Sequence, residues 1–278
     1  MIVVGFVVLV AFGVYESKFS PYPMLNFKLL TDRTIIGACV LSAAYMVSYY
    51  CWGNYFTSFL QVVNNQTISQ AGYINNTFNV VSGFLLFVVG YLIRRTGYFK
   101  WLLFIAIPLY TLGLGLMIHF RRPGQSVGFL IMCQVFISFG GSIFIIIQQV
   151  AVLAAVDHQH VAAVLALLHV VGTGAAAIGG TISGTIWTNV FSSALMKNLP
   201  AEITEDPEVF ATVYGDITAQ LEYEIGTPER TGIQESYGYS QTRMLAAGLG
   251  IFVFGYLSLV LMRNINVKKI KQTRGNVF

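Results

Sequence analysis

The feature that most constrains the fold is an uncharged tract over residues 34–93, which contains no Lys, Arg, Asp or Glu. As one helix this tract would be roughly 90 Å long, about three times the hydrocarbon thickness of a bilayer. It must therefore fold back on itself, and the polar residues 64–72 supply the turn. Because backbone amides in lipid need hydrogen-bond partners within their own segment, each arm is expected to be a helix. The tract predicts a transmembrane hairpin.

The rest of the chain has the same character. Only 10% of its residues are charged, 55% are hydrophobic and the mean hydropathy is +0.68, values that are unusual for a soluble domain. Further apolar segments cover residues 1–15, 101–120, 127–156, 161–190 and 244–262. We therefore expect an all-α membrane protein with about seven transmembrane helices, a polar connector up to residue 33, a long acidic loop over residues 191–242 and a basic tail over residues 263–278.

The distribution of charge predicts the orientation of these helices. Seven spans place successive loops on opposite sides of the membrane, and one side then receives 11 of the 16 basic residues. The other side receives 9 of the 12 acidic residues, all of them in the long loop. Since cytoplasmic loops carry the excess of Lys and Arg, the tail is expected inside and the acidic loop outside. Arg121 and Arg122 lie on the outer side, against this trend.

Polar side chains on the first arm of the hairpin are candidates for a substrate site. Tyr50, Asn54, Thr57 and Gln61 recur at intervals of four, three and four residues, which places them on one helical face. The aromatic residues between positions 50 and 55 lie near the middle of the membrane, too deep for an interfacial aromatic belt. Two interpretations remain open: hydrogen bonding between helices, or the polar wall of a substrate cavity.

A second set of polar residues lies on the segment 127–156. Two adjacent glutamines in hydrocarbon are costly unless they face protein or water, so at least one is expected to line a cavity. No carboxylate lies inside any predicted span, which leaves His169 as the candidate for proton coupling. A packed, hydrogen-bonded histidine is the alternative interpretation. The candidates in this set are Gln134, Ser138, Gln148 and Gln149.

Several other patterns are interpreted as structural. Gly172, Ala176, Gly180 and Gly184 follow a strict four-residue spacing that is typical of closely packed transmembrane helices. The three cysteines lie in apolar runs without metal-ligand or redox spacing. We expect no catalytic residues, no metal site, no cofactor and no nucleic-acid binding, because neither paired catalytic carboxylates nor a basic stripe with exposed aromatics is present.

The loop GYLIRRTGYFK (90–100) is similar to the glycine-and-basic loop of a major facilitator half, with Arg94 where that pattern has an acidic residue. Four further stretches are more specific: SYYCW (48–52) with SFLQVVNN (58–65), GLGLMIHFR (113–121), TPER (227–230) with YG (237–238), and RNINVKKIK (263–271) with the terminal GNVF (275–278). These four stretches resemble the fungal siderophore-iron transporters of the major facilitator superfamily.

This resemblance implies a fold and a function. It implies the C-terminal six-helix half of a transporter over residues 34–278, preceded by one central helix and its connector over residues 1–33. The chain is then expected to be a fragment whose partner, the N-terminal half, is missing. The implied activity is proton-coupled uptake of ferric siderophore chelates, with the outer loop and its tyrosines, Tyr237 among them, gating or holding the cargo. A solvated connector is the alternative for that loop.

Two other functions remain as alternatives. A protein of the same fold could export drugs or exchange glutathione for protons, and seven helices with an inner tail also describe a receptor. We expect a multi-pass protein surrounded by membrane lipid, in the plasma membrane or in an endosomal or vacuolar membrane.

Overall fold

The computed structural model describes residues 2–19 and 30–269, and within these ranges the chain is a helical bundle. Six helical segments are long and apolar enough to cross a membrane, and the shorter apolar helix α1 precedes them. The prediction of an all-α membrane protein is confirmed. The helices are α1 (Ile2–Lys18), α2 (Arg33–Gly53), α3 (Phe56–Val62), α4 (Ile68–Thr96), α5 (Lys100–Phe120), α6 (Val127–Ala154), α7 (Val161–Ile186), α8 (Ser192–Asn198), α9 (Ala201–Thr204), α10 (Pro207–Gly215), α11 (Ile217–Glu222), α12 (Pro228–Phe252) and α13 (Leu257–Leu261).

The hairpin turn lies where the sequence predicts it. Thr67 caps α4 in a capping box: its hydroxyl accepts from the Gln70 amide, and the Gln70 side chain accepts from the Thr67 amide. The predicted connector and basic tail are covered only in part, since residues 20–29 and 270–278 lie outside the described residues.

Helix α2 is the centre of the bundle and packs against α6, α7 and α12. Its aromatic residues join it to its neighbours. Tyr45 packs edge-on against Tyr110 of α5 and Phe144 of α6, and Trp52 packs against Phe78 of α4. These buried rings hold the helices together on one side of α2 and leave its other side partly exposed.

The contact between α2 and α7 is made by small residues, but not by the predicted stripe. Built onto Gly179, a Cβ atom would lie 2.7 Å from the Val47 carbonyl oxygen, so α7 touches the backbone of α2 there. Gly180 and Gly184 have open space around them. The buried face of α7 is instead Gly172, Ala175, Gly179 and Ser183. The prediction that residues at a strict four-residue spacing form the packing surface is wrong beyond Gly172. A helix has 3.6 residues per turn, so residues four apart rotate progressively away from the neighbouring helix.

Two helix boundaries also differ from the prediction. The segment expected to be a loop over residues 191–242 is largely helical: α7 continues through a π-helix (Trp187–Phe191) into α8, and α12 begins at Pro228. Between them lie only the short helices α9 to α11. The first arm of the hairpin is not one helix either, since it breaks between Gly53 and Phe56.

The basic turn and the start of the tail meet at one end of the bundle. Lys100 Nζ donates to the Met262 carbonyl at 2.7 Å and Lys268 Nζ donates to the Arg95 carbonyl at 2.7 Å. Arg263 forms an ion pair with Asp32 at 3.4 Å. Three of the basic residues that charge counting assigned to the inner side, Lys100, Arg263 and Lys268, therefore lie at the same end of the described bundle. The assignment of this end to the cytoplasm stays a prediction.

Candidate functional site

The candidate site is built around the break in the first span. Helix α2 ends at Gly53, Asn54 is extended, and Tyr55 takes a left-handed conformation with φ of 60° before α3 begins. A non-glycine residue with positive φ is uncommon, and such positions cluster at functional sites. Broken helices are also where transporters expose backbone groups in the membrane. The break therefore marks the part of α2 most suited to binding.

Arg121, at the outer end of α5, stabilises this break. Its guanidinium is fully buried, donates to the Trp52 carbonyl at 2.7 Å and lies 4.5 Å from the centre of the Phe56 ring. The end of a helix carries partial negative charge on its free carbonyls, so a cation there is favourable. Burial lowers the pKa of Arg121 to about 9. This interaction gives Arg121 a structural role at a position that the charge count disfavours.

A second irregular segment faces the break across the bundle. The Asn54 side chain donates to the Ser183 hydroxyl of α7 at 2.8 Å. The Tyr55 ring stacks on Trp187 with centroids 4.3 Å apart and an interplanar angle of 8°. Trp187 begins the π-helix and also stacks on Phe191. The hydrogen bond and the ring stack join the broken span to the π-helix. Turns of π-helix occur frequently at functional sites.

Four predicted residues of the first arm keep part of their surface accessible. Tyr50 of α2 is 38% exposed, and Asn54 in the break and Thr57 and Gln61 of α3 are half-buried. We refer to these four residues as the polar face, after the sequence spacing that groups them. Gln149 of α6 is also half-buried. The polar face offers hydroxyl, amide and aromatic groups without a charge.

The other predicted residues are buried in this conformation. Ser138 donates to the Gln134 carbonyl at 2.6 Å, and the Gln134 amide group has no hydrogen-bond partner. Gln148 is buried, and its Oε1 atom is also without a partner. Tyr237 donates to the Gln220 side chain at 2.8 Å, which ties α12 to α11. These four residues take part in packing here and do not reach the polar face.

His169 lies apart from these residues and is exposed on α7. Of its neighbours one turn away on α7, Leu165 is half-buried and Thr173 is exposed. The structure therefore places this imidazole on an outward-facing surface of the described chain.

The polar face opens at its outer end into a cavity of about 540 Å³. Arg230 donates to the Val62 carbonyl and to the Asn65 side chain, both at 3.0 Å, and so caps α3 as Arg121 caps α2. Burial, together with Glu229 and Glu222, raises the pKa of Tyr223 at the cavity wall. The lining comprises Gln61, Asn65, Gln66, Thr67, Leu221, Glu222, Tyr223, Glu224, Ile225 and Arg230.

Comparison with known proteins assigns the chain to a family. Over all 278 residues it is 54% identical to the siderophore iron transporter mirB of Emericella nidulans. The chain belongs to the family of siderophore iron transporters. It is also 52% identical over 277 residues to MFS siderochrome iron transporter B of Aspergillus fumigatus, and 53% identical over 277 residues to MFS siderochrome iron transporter 1 of Gibberella zeae. No family model matches the chain.

The chain spans less than half the length of these siderophore iron transporters. It covers 46% of the Emericella protein and 45% of each of the other two. The resemblance to the family and to the major facilitator superfamily is confirmed, and the relatives carry the names of transporters. Among the described residues, no group of three His, Cys, Asp or Glu side chains is placed to hold a metal ion.

Three residues of the site were not predicted from the sequence. Arg121 and Arg230 cap the two parts of the broken span, and Trp187 stacks against Tyr55. The signal for Arg121 was its position against the charge trend. Arg230 belongs to the TPER stretch that carries the family resemblance, whereas Trp187 gave no local signal. The roles of both depend on contacts between residues more than 120 positions apart in the chain.

Proposed function

We propose that the chain forms one half of a transporter that carries ferric siderophores across a membrane. The observation that carries this proposal is the 54% identity, over the whole chain, to a protein named as a siderophore iron transporter. The iron is cargo here, bound by its own chelator. A protein that recognises such a chelate does not need to provide metal ligands.

The chemistry of the polar face supports this cargo. A ferric siderophore is a large complex of low charge with many amide and oxygen groups on its surface. Tyr50, Asn54, Thr57 and Gln61 provide aromatic surface and neutral hydrogen-bonding groups to such a complex, with Gln149 as a further amide. The four residues of the polar face carry no charge, which suits a cargo of low charge.

The exposure of this face supports a two-half transporter. A face with hydroxyl and amide groups is unsuited to lipid tails, and in two-half transporters the substrate site lies at the interface between the halves. The face would then be one wall of the site and the N-terminal half the other. The outer cavity beside Gln61 is the corresponding entrance, and Tyr237 contributes by docking the acidic segment onto α12.

The broken span is the element that we propose to move. Alternating access requires a segment with two arrangements, and the Asn54–Ser183 bond and the Tyr55–Trp187 stack hold α3 to the π-helix. Opening of these two contacts would displace α3 while α2 stays in the core. Gln134 and Gln148, buried with amide atoms unpaired, would gain partners in such a second arrangement.

Proton coupling also belongs to this proposal. His169 is the histidine within α7, and histidine is a side chain type that commonly carries protons in transport and catalysis. Its exposed position is compatible with proton exchange at the interface between the halves. A His169→Gln variant that binds cargo but loses the pH dependence of uptake would support the role, and unchanged pH dependence would exclude it.

Uptake in a fungal strain that lacks siderophore uptake tests the proposed cargo. The part of the Emericella relative that the chain does not cover is fused to residues 1–278 of this chain, and uptake of iron-55 as a ferric siderophore is measured. Saturable uptake that unlabelled siderophore suppresses supports the proposal. Suppression by a drug or glutathione but not by siderophore would favour a same-fold exporter or exchanger, and ligand-dependent recruitment of a cytosolic signalling protein without uptake would favour a receptor.

A further inference from the structure

A groove on the outer half of α12 lies outside the proposed transport site. It runs between α12 and the turn that follows α5, and it encloses about 480 Å³. None of its lining residues belongs to the polar face or to the broken span. The lining comprises Arg122, Pro123, Glu235, Gly238, Tyr239, Thr242, Arg243 and Ala246.

The charges in the groove have a definite order along α12. Arg243 donates to the Tyr239 hydroxyl at 2.9 Å, and its guanidinium lies 5.0 Å from the centre of that ring. Glu235 lies one further turn towards the outer end, and each turn adds about 6 Å. Arg122 lines the groove from the α5 side. The Arg122 Cα lies beside Gly238, so both cations lie on the inner side of Glu235, and the carboxylate marks the outer part of the groove.

This order matches the depth of the groove in a bilayer. The last span ends at Leu261, and about 20 helical residues cross the hydrocarbon, so its outer boundary lies near residue 242. Arg243 is thus at the boundary and Glu235 lies in the headgroup layer. Towards the other end of the span, Val253, Phe254 and Val260 are exposed by 62%, 60% and 78% and form a lipid-facing surface.

Small residues connect the charged groove to this apolar surface. Ala246 and Gly250 lie one turn apart below Arg243, and both are exposed. A Cβ atom on Gly250 would meet nothing within 4 Å, so space is open there. The groove can thus receive an acyl chain directly below the two arginines.

We propose that this groove binds one zwitterionic phospholipid of the leaflet opposite the basic tail. The phosphate binds between Arg122 and Arg243, the ammonium group pairs with Glu235, and an acyl chain follows Ala246 and Gly250. In such a lipid the ammonium group lies farther from the acyl chains than the phosphate does, which is the order of the charges in the groove. Guanidinium groups bind phosphate strongly, and a carboxylate favours a nearby ammonium group.

Native mass spectrometry of the purified 278-residue chain tests the headgroup contacts. The probes are phosphatidylethanolamine and phosphatidylglycerol with identical acyl chains. We expect the wild type to bind the zwitterionic lipid more tightly, and the double variant R122Q/R243Q to bind it about tenfold more weakly. Glu235→Gln should remove the preference between the two lipids. Arg94→Gln, an exposed arginine at the opposite end, is the matched control and should change nothing.

A steric variant separates lipid binding from binding of a free anion. Gly250→Trp fills the open space below the arginines and leaves Arg122 and Arg243 intact. It should weaken binding of phosphatidylethanolamine about tenfold. All altered side chains are exposed, and unchanged helicity by circular dichroism confirms the fold of each variant. Equal lipid affinity in the wild type and R122Q/R243Q would overturn the proposal. So would displacement of the lipid by inorganic phosphate or by a ferric siderophore at comparable affinity, which would make the groove an anion or cargo site.

Discussion

Replacing Gly179 by Val should separate α2 from α7. In the native packing a Cβ atom at Gly179 would lie 2.7 Å from the Val47 carbonyl oxygen, 2.9 Å from the Val47 Cα and 3.0 Å from the Tyr50 Cβ. Two of these three atoms belong to the backbone and cannot rotate away. Overpacking of a core typically costs about 1–3 kcal/mol, and a valine here should reach the upper end of that range. The unfolding temperature should then fall by about 6–12 °C.

Gly180 provides the matched control, because it is the next residue on the same helix and has open space around it. Gly180→Val should change the unfolding temperature little, since the gain in helix propensity over glycine is below about 1 kcal/mol. Both variants are compared with the wild type by thermal unfolding of the detergent-solubilised chain. Equal effects of the two substitutions, or a larger effect at Gly180, would refute the packing register that places Tyr50 and Asn54 on the accessible face.

Three further predictions concern the broken span. A double-mutant cycle of Asn54→Ala and Ser183→Ala should give a coupling energy of about 0.6 kcal/mol, as is usual for hydrogen bonds between membrane helices, whereas purely additive effects would contradict the bond. Arg121→Met leaves the Trp52 carbonyl without its donor and should destabilise the chain by about 1–3 kcal/mol. The control Arg122→Met changes an exposed side chain and should alter the stability by less than about 0.5 kcal/mol. Equal unfolding temperatures for the two variants would contradict this prediction. Because burial lowers the pKa of Arg121 from 12.5 to about 9, the unfolded chain binds one more proton above pH 9, so the stability of the wild type relative to Arg121→Met should rise between pH 9 and pH 11 and stay constant between pH 6 and pH 8. A flat difference across both ranges would show that the pKa of Arg121 is not lowered in the folded chain.

The membrane spans could be predicted because the hydrophobic effect acts on every residue of a span. The uncharged tract, its polar turn and the basic groups at one end required no tertiary information. The outer half of α12 was predicted as a loop because its residues 228–243 are polar, with Glu229, Glu235 and Arg243 among them. In the structure Arg230 and Gln234 donate to backbone carbonyls of α3, so contacts from a distant part of the chain stabilise this helix.

The candidate site was predictable only in part for the same reason. The spacing of Tyr50, Asn54, Thr57 and Gln61 identified a shared face, since periodicity is a property of the local sequence. The break inside that face was not predictable, because it contains no proline and its left-handed residue is a tyrosine. The glutamine pair on α6 was predicted to place at least one side chain in a cavity. Adjacent residues point about 100° apart on a helix, and Gln148 is buried while Gln149 is half-buried.

The proposed function requires that cargo passes the polar face of α2 and α3. The decisive measurement is uptake of iron-55 ferric siderophore by the fused transporter carrying Asn54→Leu, compared with Phe87→Leu on the exposed surface of α4 as control. We expect Asn54→Leu to reduce saturable uptake at least about tenfold, as for loss of a site-specific hydrogen bond, with the control and the expression level unchanged. Normal uptake in Asn54→Leu, or no siderophore uptake by the unaltered fusion at normal expression in the membrane, would contradict the proposed function.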